Sequence, residues 1–290
     1  MPLRLRLSPR YLNLASPTAI DCIPSHSLQS IAALIAMPLP ISLSIIALNE
    51  EANLARCLQS AAGLAEEIIV VDSGSTDRTR EIAESFGAKV THQDWLGHRD
   101  QKNVALKLCT KPWVLALDCD EELSPELRES IEKFFRDGLS EKFSGAECNR
   151  KVWFLGRWIT HGDWYPDRKL RLFLREKARW GGSPEHDYIE LEGPVMRLNG
   201  DLHHFSFPTT NRYIEKINVY ADVFLQRQKA DGVRWSLMTN IARPLWRFFR
   251  AYILRRGFLD GFPGLWIAVA TAFSAFVRYS RKFEDEQDGR

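Results

Sequence analysis

The sequence predicts an α/β protein: a doubly wound, mostly parallel sheet followed by a helical appendage that is basic and aromatic. Three observations carry this. Between residues 41 and 117, short β-branched runs alternate with amphipathic stretches of helical length, the signature of crossover units and a parallel sheet. Acids or amides follow three of the predicted strands. Residues 236–282 hold eight basic residues against one acid, Asp260, and 10 of the 32 aromatic residues.

Ile41–Leu48 (ISLSIIAL) is a continuous apolar, β-branched run, as expected for a strand buried on both faces. Glu50–Ala62 reads as a helix with Leu54, Cys57, Leu58 and Ala61 on one face. Glu67–Val71 is the second strand, Asp77–Phe86 the second helix, and Gly87 ends it. Lys89–His92 is a short third strand, Arg99–Leu108 a helix, Trp113–Leu117 the fourth strand, and Pro125–Phe135 a helix with Leu127, Ile131, Phe134 and Phe135 apolar. Residues 146–206 hold strand-like runs broken by Gly and Pro, and Asn211–Gln228 is helical. Four regions follow: 1–36, a disordered extension or a start placed too early, with Met37 the alternative; 37–140, the half of alternating strands and helices; 141–232, the half of broken strands; and 233–290, a helical, basic and aromatic region.

Composition narrows the class. The 290 residues are 45% hydrophobic and 26% charged, which excludes a disordered chain, a collagen and a polytopic membrane protein. The net charge of +2 argues against nucleic acid as a partner. The five cysteines form no CxxC pair and suggest a reducing compartment. The basic aromatic segment either lies on an anionic membrane surface or forms a helix pair packed on the main domain. Its longest uncharged run, Gly261–Val277, has 17 residues. That is marginal for a span of about 20 residues, so an interfacial helix or shallow hairpin fits better.

In open α/β sheets ligands bind at the carboxyl ends of strands. Those ends carry Asn49 and Glu50, then Asp72, then Asp118 and Asp120. Two carboxylates one residue apart suit a hard divalent cation that shares phosphate oxygens. No GxxxxGK[ST] and no GxGxxG follow the first strand, which removes a P-loop and a dinucleotide site. Cys119, between the two aspartates, reads as a small buried residue and not a nucleophile.

SIIALNEEANLARCLQS, EEIIVVDSGSTDRTREIAESFGAKV and KPWVLALDCDEEL together resemble the nucleotide-sugar domain of family-2 glycosyltransferases, which have the GT-A fold. WLGHRDQKNVAL, GDWYPDRKLRLF, PEHDYIEL and RRGFLDGFPGLWIA extend the resemblance to bacterial lipopolysaccharide-core glycosyltransferases, which typically add glucose to the inner core. The match covers about residues 41–285. It implies that Asn49 and Glu50 contact the nucleotide, that Asp72 binds uracil or ribose, and that Gln101, Lys102 and Asn103 lie near the nucleotide. Asp120 is then the main ligand for Mg²⁺ or Mn²⁺, with Asp118 nearer the ribose. His186-Asp187 matches the family's pair near the catalytic base. Glu185 also precedes the histidine, so Asp187 and Glu185 are both eligible, Asp187 preferred.

The resemblance implies an inverting, metal-dependent hexosyltransferase, with 37–140 the nucleotide-sugar-binding half, 141–232 the acceptor-binding and catalytic-base half, and 233–290 a helical membrane-associating region. It would use a UDP-sugar donor and a lipid-linked saccharide acceptor, on the cytoplasmic face of the inner membrane. Rival readings are a polyprenyl-phosphate glycosyltransferase and a non-catalytic membrane-associated scaffold. Trp164 and Tyr165 either stack on the acceptor sugar or pack in the core. Arg168, Lys169 and Arg171 either bind acceptor phosphates or form a solvated strand face. His203 and His204 are either ligands or structural.

Overall fold

The computed structural model describes residues 37–183, 186–206, 209–230 and 232–288. The expectations for residues 1–36 and for Glu185 lie outside these residues, as does the side chain of His186.

Four parallel strands open the fold: β1 (Leu39–Ala47), β2 (Ala65–Asp72), β3 (Lys89–His92) and β4 (Trp113–Ala116). Between them run α1 (Leu54–Ser60), α2 (Thr79–Ser85) and α3 (His98–Leu108). The apolar strands serve both faces by alternation. Ile41, Leu43 and Ile45 pack with Leu54 and Leu58 of α1, whereas Ile69, Val71, Val114 and Ala116 pack with Ala105 and Leu106 of α3. Each fully buried aliphatic side chain contributes about 1.5–3 kcal/mol.

The sheet then turns mixed. Its order is β3-β2-β1-β4-β8-β6-β11-β5, where β5 is Glu121–Leu123, β6 Gly145–Phe154, β8 Asp167–Leu174 and β11 Val195–His204. A short β7 (Arg157–Trp158) pairs with β6. β8 runs antiparallel to both β4 and β6, so one sheet passes through both halves. α4 (Pro125–Arg136) begins on a capped turn, the Ser124 hydroxyl accepting from the Leu127 amide at 3.2 Å. A separate hairpin, β9 (Ala178–Ser183) and β10 (His186–Leu191), stands beside α3.

Two sequence expectations are corrected. The first helix starts at Leu54 and not Glu50, because Asn49 adopts a left-handed φ of 54° and the chain turns before the helix begins. β5 was not foreseen: its three residues have no run long enough to show a pattern. It matters for the site. The chain leaves β4 near mid-sheet and, after residues 117–120, rejoins at the far edge beside β11. Four strand spacings of a flat sheet span about 19 Å, more than this linker can bridge, because the Glu121 amide donates to the Asp118 carbonyl at 2.9 Å and turns it back on itself. The sheet therefore curls.

Three helices complete the chain: α5 (Thr210–Ala230), α6 (Leu237–Phe249) and α7 (Gly261–Asp288). α7 packs on the sheet through Ile267 and Trp266, whose ring lies 5.0 Å from Phe154. α5 and α6 pack along α7.

Candidate active site

The strand ends β1 and β4, the hairpin β9–β10, β11 and α5 surround one cavity of about 930 Å³. Glu50, Lys102, Asp118, Asp120, Asp187 and His204 all line it.

Asp118 is the electrostatic centre. Its Oδ1 lies 2.9 Å from the Lys102 ammonium, and its Oδ2 accepts from Arg171 at 2.8 Å. Burial alone would push this carboxyl up. The two cations outweigh burial and hold it well below the usual carboxylate range. Both Asp118 oxygens are thus committed to protein cations. Behind it, Glu121 is fully buried; it accepts from Arg171 through one oxygen and from the Asp118 amide at 3.0 Å through the other. Arg171 thereby ties β8 to the Asp118–Asp120 turn. This corrects the solvated-face reading of KLRLFL: Arg168 is exposed and Lys169 half-buried, but Arg171 points into the protein. Its signal in the sequence was Glu121, an acid one position past the Asp-x-Asp that needed a buried partner.

Lys102 joins two parts of the site. Its ammonium is 2.9 Å from Asp118 and 2.9 Å from Asp187, and it lies 4.5 Å from the centre of the Trp180 ring. Burial pulls its pKa down, but the carboxylates, Asp118 first, more than compensate and raise it. Its neighbours have different work. Gln101 is buried and donates to the Ser73 hydroxyl and the Gln93 carbonyl, both at 2.9 Å. Asn103 donates to the Trp180 carbonyl at 2.9 Å and accepts from the Trp180 amide at 3.1 Å. These two side chains pin loops; Lys102 faces the cavity.

Asp120 accepts from His204, whose Nε2 is 3.2 Å away. Burial raises the Asp120 carboxyl, and the His204 hydrogen bond more than offsets it. Glu50 is pushed up by burial; the Asn53 hydrogen bond opposes this and the charge of Asp120 adds to it. This wall presents the Glu50 and Asp120 carboxylates to the cavity, and hard oxygen donors of that kind suit Mg²⁺ or Mn²⁺ sharing phosphate oxygens. Among the described residues, no group of three or more His, Cys, Asp or Glu is set to hold a metal, so Asp120 would need ligands from substrate and water.

The other candidates lie further out. Asn49 accepts from the Thr76 amide at 2.9 Å, and Asp72 is fully buried, accepting from the amides of Gly74 and Ser75. Both shape the loops beyond β1 and β2, and neither lines the cavity. Trp164 does line it, packed 5.2 Å from Phe154. Tyr165 donates instead to Asp201 at 2.9 Å. Arg168 lies 3.9 Å from Glu147, away from the cavity. His203 stacks on Trp158 at 4.2 Å, so only His204 of the pair faces the cavity. Cys119 is buried, and burial raises its thiol pKa well above the usual range.

With this geometry in view, comparison with known proteins is specific. Residues 42–189 match the model of glycosyl transferase family 2. A lipopolysaccharide core biosynthesis glycosyltransferase, LpsC of Rhizobium meliloti strain 1021, is 32% identical over 264 residues, covering 86% of this chain and 97% of that protein. An uncharacterized glycosyltransferase of Rickettsia typhi, RT0209, is 31% identical over 250 residues, covering 83% and 86%. Among solved structures, S. aureus TarS 1-349 in complex with UDP-GlcNAc aligns with 87% of this chain and 93% of its own, at 15% identity and a TM-score of 0.46.

Proposed function

The chain belongs to glycosyl transferase family 2, with its α/β GT-A fold, and from that premise we propose that it is an inverting, metal-dependent hexosyltransferase. It moves glucose from UDP-glucose to a lipopolysaccharide inner-core saccharide. The acceptor is lipid-linked, and the enzyme works as a peripheral protein on the cytoplasmic face of the inner membrane. Residues 37–140 serve the donor, 141–232 the acceptor and the base, and 233–290 the membrane.

The observation that carries the reading is the convergence of Lys102, Asp118, Asp120 and Asp187 on one cavity. Asp187 takes the proton of the acceptor hydroxyl, with Glu185 and His186 beside it in sequence. The acceptor oxygen bonds to the anomeric carbon as the carbon–phosphate oxygen bond breaks, and UDP leaves with the electron pair. One displacement inverts the anomeric centre, and no covalent enzyme intermediate is needed. Lys102 balances charge on the leaving side. Asp120 would hold Mg²⁺ or Mn²⁺, which supplies Lewis-acid neutralisation of the diphosphate. Asn49, Glu50, Asp72 and Asp118 order the nucleotide side, supported by Gln101 and Asn103, and Trp164 offers its ring to the acceptor sugar. Tyr165 and Arg168 are assigned to the acceptor with it, although Tyr165 bonds Asp201 and Arg168 faces Glu147, and neither lines the cavity.

The test is calorimetric titration of the full chain with a panel of UDP- and GDP-sugars, with Mg²⁺ or Mn²⁺ and then with EDTA. Metal-dependent binding of UDP-glucose, lost in Asp120→Asn while the circular dichroism is unchanged, is the expected result. Undiminished donor binding in EDTA would sink the metal assignment, and a preference for another sugar would replace the donor.

A further inference from the structure

The segment 237–283 has one acid in its sequence, Asp260, and the fold hides it. Asp260 is fully buried, accepting from the amides of Thr160 and His161 at 3.0 and 2.8 Å and from the Thr160 hydroxyl. The outer surface of this segment therefore shows no carboxylate of its own. It does show apolar side chains. Along α6, Leu237, Ile241, Leu245 and Phe249 recur every four residues, with exposures of 45–66%. In the connection to α7 and its first turn, Ile253, Leu254, Phe258, Leu259 and Phe262 are 44–68% exposed within ten residues. Arg243, Arg255 and Arg256 are exposed among them.

The same segment is held firmly to the catalytic half. Arg247, Arg250 and Arg255 converge on the Asp163 carboxylate at 3.7, 3.4 and 3.2 Å, and Asp163 lines the cavity. α7 is, among the described residues, long and apolar enough to cross a membrane, but 39% of that stretch is buried within the protein. Its Ile267 belongs to the core with Phe154 and Ile159. Crossing a bilayer would strip that contact and expose Asp260. A helix pair of this kind lies in the interface plane instead.

We propose that α6, its connection to α7 and the first turn of α7 form an in-plane docking face for an anionic lipid bilayer, with Leu245, Phe249, Phe258 and Phe262 inserted and Arg243 and Arg256 on headgroup phosphates. The occupant is a lipid surface because the patch combines exposed aromatic and aliphatic side chains with cations and no exposed acid. A second copy would bring the same cations against themselves. The inference deepens the membrane contact named above and rests on that reading only for the identity of the lipid-linked acceptor. The link through Asp163 puts the cavity beside this face, so an acceptor can be glycosylated without leaving the lipid.

The test is flotation of the full chain with vesicles of phosphatidylglycerol and phosphatidylcholine, and with phosphatidylcholine alone. Donor titration and light scattering are run on the same samples. The expected result is flotation with the anionic vesicles, weakened by 0.5 M salt and by neutral lipid, and reduced at least tenfold in Leu245→Glu/Phe262→Glu with donor binding unchanged. Flotation of that variant equal to wild type overturns the proposal, as does no flotation of the wild type. A lipid-free wild-type dimer that the variant converts to monomer also overturns it and assigns the face to a second copy. Donor binding without flotation defeats only the docking face; flotation without donor binding defeats only the enzyme reading.

Discussion

The Lys102 ammonium lies 2.9 Å from the Asp187 carboxylate, across the gap between helix α3 and the β9–β10 hairpin. The same nitrogen reaches Asp118 at the end of β4. One cation thus couples the carboxylate proposed as base to the turn proposed to hold the nucleotide.

Lys102→Met removes that cation and leaves Asp118 with Arg171 alone. Transfer is expected to fall about 10²–10³-fold, the loss typical when one preorganised group opposite developing charge is removed. Steady-state kinetics on the purified variant check it, and a loss confined to KM would contradict a role on the leaving side.

Arg171→Met takes from buried Glu121 its nearest cation and leaves it only Arg150 at 3.7 Å, while Asp118 keeps Lys102. Breaking one partner of a buried pair costs about 3–5 kcal/mol. Urea unfolding should show this loss, and the double variant Arg171→Met/Glu121→Gln should recover part of it. Full additivity of the two single changes would mean that the pair does not act as a unit.

Glu67 predicts an acid limit to stability. Its carboxylate accepts from the Ser42 hydroxyl at 2.6 Å, from the Thr110 amide at 2.8 Å and from Lys89 at 3.0 Å. Burial would raise its pKa, but these bonds, Ser42 first, lower it from 4.5 to about 2. A depressed folded pKa stabilises above the unfolded value and loses that stability as pH falls. The contribution, about 2–3 kcal/mol, is complete above pH 4.5 and disappears toward pH 2. Unfolding followed from pH 6 to pH 2.5 should lose less in Glu67→Gln than in the wild type.

Gly264→Ala is expected to loosen the start of α7. A Cβ there would stand 1.9 Å from the Gly257 carbonyl oxygen, which is backbone and cannot rotate away. Overpacking of this sort costs about 1–3 kcal/mol. Hydrogen exchange at residues 257–264 and at the Thr160 and His161 amides should quicken, since Asp260 lies in the same turn; unchanged protection would refute the link.

Much of the parallel half was legible because runs such as ISLSIIAL and EIIVV are unambiguous where both faces are covered. The strand-end acids were legible for the same reason: once strands are placed, their carboxyl ends are known. What the sequence hid depends on long-range pairing. Glu121–Leu123 is too short to announce a strand, and only β11 makes it one. Arg171 sits in an alternating run that looks half-solvated, yet the carboxylates of another loop draw it inward. Gln101 and Asn103 carry the polar side chains of a binding motif, and the structure shows them holding loops through backbone groups that no pattern reveals.

The four residues between β4 and β5 act as a ruler. They turn on themselves, the Glu121 amide donating to the Asp118 carbonyl at 2.9 Å, yet they join mid-sheet to the far edge, so their length sets how tightly the sheet curls around the cavity. Elsewhere in this chain a loop can lengthen at little cost. Here one added residue would relax the curl, separate Arg171 from Asp118 and open the chamber. Variation among related chains therefore has room to change side chains in this turn but not its length, and a chain carrying an insertion there would have to rebuild the whole far wall to keep a closed site.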